Sequence, residues 1–137
     1  MLTDELVEDI KHEEGFVPVV YLDVKGKKTI GYGTLLEDGI SEAEAELLLR
    51  HRLGLMAGEL ERSPVGGTYK NLKPGAKRAV LNMAYNMGVP NLLGFQKMWA
   101  ALAEGDYARA ASEALDSVYA RELPVRAGRV AERMRSA

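Results

Sequence analysis

The stretch that decides the fold is EEGFVPVVYLDVKGKKTIGYGT, residues 13–34. Val19, Val20 and Tyr21, then Thr29, Ile30 and Tyr32, favour extended backbone, and Lys25-Gly26 between them supplies a turn. The pattern predicts a β-hairpin, with a short third strand near Leu35–Leu36. It is the one strong β signal in the chain. Just before it, Thr3 reads as an N-cap, and Asp4 and Glu5 fall in a first helical turn, where the helix dipole favours negative charge. Leu6, Val7 and Ile10 follow at helical spacing, and Gly15 suits a C-terminal stop. A helix over about residues 4–14 results, with Glu14 at its end.

Everything after the hairpin reads as helix. Ser41 with Glu44 makes a capping box that opens a helix over about 42–61. SPVGGTY, residues 63–69, breaks it. Pro74 opens the next helix and Gly88 stops it, and GVPN, residues 88–91, turns the chain. A helix over about 92–104 is closed by Gly105. Asp106 caps another that runs to about 119, and Pro124 opens the last. Early strands and late helices define an α+β fold, mostly α-helical, with segregated layers. The expected organisation is one domain, 1–137: a small hairpin lobe with a bridging helix over about 12–60, and a larger helical lobe from about 1–11 and 61–137. A cleft between the two lobes would suit an extended ligand.

Composition narrows the chemistry. The chain has 137 residues and is 47% hydrophobic, enough for a core without staples. Having no cysteine, it forms no disulfide, thiol nucleophile or thiolate metal site. His12 and His51 are its only histidines and read as solvated helix residues, so no metal or cofactor is expected. A net charge of −2 argues against nucleic-acid binding. The charge is uneven, however. Six acids stand against Lys11 in the first 14 residues, and five arginines against Glu122 and Glu132 in residues 118–137. That tail has two readings, a contact for an anionic partner or a solvated face. No segment has the apolar run of a membrane span, and the acidic opening is unlike a secretory signal. The expectation is a cytoplasmic monomer without membrane insertion.

Within the opening stretch, Glu14 sits at a helix end, Asp23 lies nine residues on, and Thr29 six beyond that. A hairpin can bring Asp23 and Thr29 together and aim both at the helix end. Two carboxylates across a cleft suit glycoside hydrolysis, one protonating the leaving oxygen and the other handling water. The proton donor needs surroundings that raise its pKa. Gly31 and Gly33 allow another backbone, or a sugar ring, to come close. GYGTLL, residues 31–36, lacks the third glycine of a dinucleotide fingerprint. Residue types alone leave open whether these acids are a catalytic pair or solvated carboxylates.

The spacing Glu14, Asp23, Thr29 resembles the catalytic motif of the bacteriophage-type lysozymes, glycoside hydrolase family 24. The flanking letters agree: EG at 14–15, YLD at 21–23 and TIGYGT at 29–34. RAVLNMAYNMG at 78–88, GF at 94–95 and SVYARELPVRAGRV at 117–130 continue the likeness in order along nearly the whole chain. The resemblance implies a lysozyme-like fold and an endolysin that cleaves the β-1,4 bond between N-acetylmuramic acid and N-acetylglucosamine in peptidoglycan, with inversion. It makes Glu14 the general acid, Asp23 the residue that activates water, and Thr29 its helper. Arg126 would pair with Glu14, and Leu35 and Tyr85 would contact sugar. Asn82 and Asn86, one helical turn apart, present one face to the cleft.

Other residues read as structure. Glu13 is a surface acid, Met83 and Met87 are core filler, Trp99 is core, and the resemblance places Tyr119 buried between helices. Thr34 stands where many relatives have a histidine, and the segment between the hairpin and residue 77 is shorter than in the longest relatives. Without a signal or anchor, the protein would wait in the host cytoplasm for a holin-like pore. Two other readings are a weak or inactive peptidoglycan-binding module of the same fold, and a lytic transglycosylase, which would need no Asp23.

Overall fold

The computed structural model describes residues 2–137. The protein is mostly helical with one small three-stranded antiparallel sheet, the expected α+β class. It divides into two compact units, Met1–Leu47 and Leu48–Ala137.

The first unit opens with α1, Asp4–Glu14. The Thr3 hydroxyl accepts from the Leu6 amide at 3.1 Å, and the Gly15 amide closes the other end on the Lys11 carbonyl at 2.9 Å. Strands β1 (Val17–Leu22), β2 (Lys28–Gly31) and β3 (Thr34–Leu35) follow, in the order β1-β2-β3. Tyr21 pairs with Thr29 and Val17 with Gly31, and the register slips between them. Pro18 lies in that interval; having no amide hydrogen, it cannot donate to the ladder, so a bulge is tolerated there. Thr29 pairs on its other side with Leu35. After β3 the chain makes a 3-10 turn, Leu36–Asp38, whose Glu37 forms an ion pair with Lys27 at 3.0 Å.

Helix α2, Glu42–Arg62, begins in the first unit and ends in the second. Its capping box is formed: Ser41 N–H donates to Glu44 Oε1 at 2.9 Å and Glu44 N–H to Ser41 Oγ at 3.2 Å. The second unit adds α3 (Gly66–Lys70), α4 (Pro74–Met87), α5 (Val89–Leu93), α6 (Gln96–Ala103), α7 (Tyr107–Leu115), α8 (Val118–Glu122) and α9 (Pro124–Arg135). Its core is built from stripes at helical spacing. Helix α4 buries Ala76, Ala79, Val80, Met83 and Ala84, and α9 buries Ala127, Val130, Ala131 and Met134. Trp99 is buried, its indole N–H donating to the Leu92 carbonyl at 3.0 Å. Met83 is fully buried and Met87 packs against the same core. His12 and His51 are exposed.

Three local expectations are corrected. The break after α2 is shorter than SPVGGTY, because α3 resumes at Gly66. Residues 89–93 form a helical turn, with Pro90 in the first turn where its missing N–H costs nothing. The helix expected from 106 to about 119 is two, α7 and α8. Serines explain the first and last. Ser63 Oγ donates to the Leu60 carbonyl at 2.7 Å and accepts from Val65 N–H. Ser117 Oγ donates to the Ala114 carbonyl at 2.6 Å and accepts from Ala120 N–H. Each hydroxyl turns back on a carbonyl of the preceding helix, and Ser117 also caps α8, so the chain bends with few orphaned backbone groups.

Gly66 shows how tight the first of these bends is. A Cβ there would lie 2.1 Å from the Glu61 carbonyl oxygen, whereas one on Gly67 would meet nothing within 4 Å. Gly66→Ala should therefore destabilise by about 3 kcal/mol and lower Tm by on the order of 10 °C. Gly67→Ala should raise Tm, since alanine favours helix by about 1 kcal/mol. Equal melting of wild type and Gly66→Ala would refute the close approach.

The capping box carries a pH signature. Chiefly the Ser41 amide, and then its hydroxyl, hold the Glu44 carboxyl below its ordinary pKa. A depressed folded-state pKa contributes stability that is present above the unfolded value and lost as pH falls through the folded one. The Tm advantage of wild type over Glu44→Gln should accordingly be constant from pH 7 to 5 and shrink below the ordinary glutamate range. A pH-independent difference would contradict the linkage.

Candidate active site

In the first unit, the hairpin turn assembles Asp23 and Thr29 around the backbone of one residue, Lys27. Asp23 Oδ1 accepts from the amides of Lys25 and Lys27, both at 2.9 Å. The Lys27 carbonyl accepts from Asp23 N–H at 2.9 Å and from Thr29 Oγ1 at 3.0 Å. Gly26 N–H donates to the Asp23 carbonyl, closing the turn. The carboxylate and the hydroxyl therefore share Lys27 as their mount, one on each side of it. Thr29 is 2% exposed, whereas Asp23 is partly open. Asp23 Oδ2 takes no hydrogen bond among the described residues, so it is the oxygen left for a ligand. Leu35 stands across the ladder from Thr29 and is half-buried.

Glu14 enters the same unit from the end of α1. It is exposed, so its own unit gives it a seat rather than an apolar pocket. That seat is Gly33. A Cβ on Gly33 would stand 2.7 Å from Glu14 Oε2 and 2.9 Å from its Cδ, and the backbone there has φ +79°. The sequence reading foresaw a close approach at the strand glycines but assigned it to a backbone or a sugar ring. What approaches Gly33 is the carboxyl of Glu14. Glu13 is exposed and makes no hydrogen bond or ion pair among the described residues.

The second unit holds the remaining candidates. Arg126 Nε donates to Asn82 Oδ1 at 2.8 Å and its Nη2 to the Asn82 carbonyl at 3.1 Å. This two-point grip fixes the plane of the guanidinium. Asn82 thus faces Arg126, a use that helical spacing from Asn86 did not reveal; the partner lies 44 residues away. Tyr119 is 8% exposed, and its buried hydroxyl makes no hydrogen bond among the described residues. Burial pushes the Tyr119 phenol pKa up, and the neighbouring Arg126 cation opposes that rise. Tyr85 is exposed. Asn86 lines an open groove of about 770 Å³ with Phe95, Lys97, Glu113, Asp116 and Tyr119.

With this geometry in place, similarity to known proteins supplies the class. Residues 11–135 match the phage lysozyme family, and the chain belongs to it. It is 28% identical over 157 aligned residues to the probable T4-type lysozyme 1 of Dictyostelium discoideum, covering 94% of this chain and 92% of that one. Probable T4-type lysozyme 2 of the same organism is 27% identical at the same coverage. The pre-baseplate central spike protein Gp5 of Enterobacteria phage T4 is 26% identical over 91% of this chain but only 26% of its own length. The protein is a lysozyme-type glycosidase.

Gly33 gives the site a specific test. In Gly33→Ala the new methyl must displace the Glu14 carboxyl, the movable end of a flexible side chain. With Glu14 as the acid, glycosidase activity should fall on the order of a hundredfold, the penalty of about 1 Å misplacement. The loss of Tm from Gly33→Ala should be smaller in a Glu14→Ala background, where only the backbone cost remains. Undiminished activity would show that Glu14 is not seated on Gly33.

Proposed function

We propose that the protein hydrolyses the β-1,4 bond between N-acetylmuramic acid and N-acetylglucosamine in bacterial peptidoglycan, with Glu14 as general acid, and that it lyses a bacterial host. Glu14 gives its proton to the glycosidic oxygen as the C1–O bond breaks. A water attacks C1 from the opposite face and surrenders its proton to Asp23, so the anomeric centre inverts.

The observation that carries this reading is the Lys27 mount. The Thr29 hydroxyl spends its hydrogen on the Lys27 carbonyl, so what it offers a water is a lone pair. Asp23 spends Oδ1 on two amides and offers Oδ2. Two acceptors on one rigid turn take both hydrogens of a water and leave its own lone pair for the sugar. Such preorganisation costs no rearrangement at the moment of reaction. A transglycosylase, whose nucleophile is the sugar's own hydroxyl, has no use for this pair.

The supporting roles follow in the same reading. Asn82 holds the Arg126 guanidinium in plane. Leu35, Tyr85 and Asn86 contact the glycan. No helix among the described residues is long and apolar enough to cross a membrane. In the same reading the protein acts as a monomer and reaches the wall through a holin-like pore.

On purified murein, Glu14→Gln should clear turbidity at least about a thousandfold more slowly than wild type with an unchanged melting curve. Wild-type products should carry added water at a reducing end, and the α anomer should form first. Clearing by Glu14→Gln at the wild-type rate would end the assignment, and 1,6-anhydro products would replace it with the transglycosylase.

A further inference from the structure

The net charge of −2 conceals two opposite bodies. Met1–Leu47 holds 4 basic and 12 acidic side chains, net −8, and Leu48–Ala137 holds 14 basic and 8 acidic, net +6. Within the second unit, six of the 14 cations lie on two packed helices that carry almost no acid. Helix α4 contains no acid, and α9 contains only Glu132, which pairs with Arg135 at 3.8 Å.

The two helices run antiparallel. At one end, a Cβ on Gly75 would lie 3.2 Å from the Arg133 carbonyl; at the other, Asn82 holds Arg126. Arg78 is spaced three and four residues from Gly75 and Asn82, and Arg129 is spaced three and four from Arg126 and Arg133, so both belong to the middle of the seam. Arg126, Arg129 and Arg133 form a row about 10 Å long at 1.5 Å per residue, with Arg78 beside it. Arg78 and Arg129 are exposed and Arg133 is partly so. None of these three has a carboxylate partner among the described residues. Like charges at helical spacing cost stability, so a row of them without counterions needs a reason outside the fold.

We infer that the α4–α9 seam docks a linear phosphodiester polymer attached to the bacterial wall, and that it does so apart from the cleavage step. Charge complementarity identifies the occupant. A guanidinium fork matches phosphate oxygens two at a time, and a phosphodiester chain offers one full negative charge per repeat. Stem-peptide carboxylates are a poorer match, because free amines on the same peptides offset them. A polymer held on the seam would keep the enzyme at the wall. The choice of a wall polymer rests on the peptidoglycan reading above; the cationic seam itself does not.

The test uses the full chain and purified poly(glycerol phosphate). Arg78→Ala/Arg129→Ala/Arg133→Ala should bind it at least tenfold more weakly than wild type, with the log affinity–log salt slope flatter by about two. Hydrolysis of short soluble glycan fragments should be unchanged. Lys70→Ala/Lys97→Ala/Arg109→Ala, an equal charge loss elsewhere in the unit, should bind nearly as wild type. The corresponding triple Arg→Lys variant, which keeps the charge and guards against misfolding, should fall between. Equal weakening by the two alanine triples would overturn the inference, as would tighter binding to polyglutamate or to phosphatidylglycerol vesicles. Binding that survives in a protein unable to cleave murein would sink the proposed function and leave this one standing.

Discussion

The backbone of Lys27 is the point on which the first unit turns. Its N–H and carbonyl each face a side chain with a chemical capability, and neither would be placed without it. The turn is short, the Asp23 carboxylate stabilises it by accepting two amides, and those bonds leave a single oxygen facing out. Structure and reactivity are therefore not separable here. The residue that closes the hairpin is also the one proposed to handle water, and replacing it would loosen the turn as well as remove the base. Position within a turn gives more precision than a free loop would, because the ladder behind it, Tyr21 to Thr29 to Leu35, is continuous.

Glu14 is positioned by a different principle, exclusion rather than bonding. No hydrogen bond from its own unit holds it. It occupies space that any side chain at 33 would fill. The same device, a glycine vacated for a neighbour, recurs at Gly66, where the neighbour is a backbone carbonyl. The consequences differ. A carboxyl at the end of two rotatable bonds can move aside at small energetic cost and large cost in geometry. A helix carbonyl cannot, so the cost there falls on stability.

Much of this was legible in the sequence, and the limits have identifiable causes. Thr3, Ser41, Asp106 and Gly88 announce helix ends through chemistry local to three or four residues, and the structure uses each as read. The trio Glu14, Asp23 and Thr29 was singled out by family resemblance, and the structure links two of them, Asp23 and Thr29, through Lys27. Ser63 and Ser117 were missed because a mid-segment serine usually just points to solvent. Only the backbone path shows that it bonds back to a carbonyl three residues earlier. Asn82 was read as facing a ligand because helical periodicity finds a face but not its partner. Arg126, distant in sequence, decides what that face meets. Lys27 left no trace at all, since it acts through its backbone, which every residue has.

Charge illustrates the same limit on a larger scale. A pI near 5.7 describes the chain as an average that neither unit resembles. Electrostatic attraction is local: at physiological salt the screening length is about 8 Å. A polyanion touching α9 therefore responds first to Arg129 and Arg133. The low net charge, read over the whole chain, loses its force as a guide to partners once the charges are assigned to the surfaces that carry them.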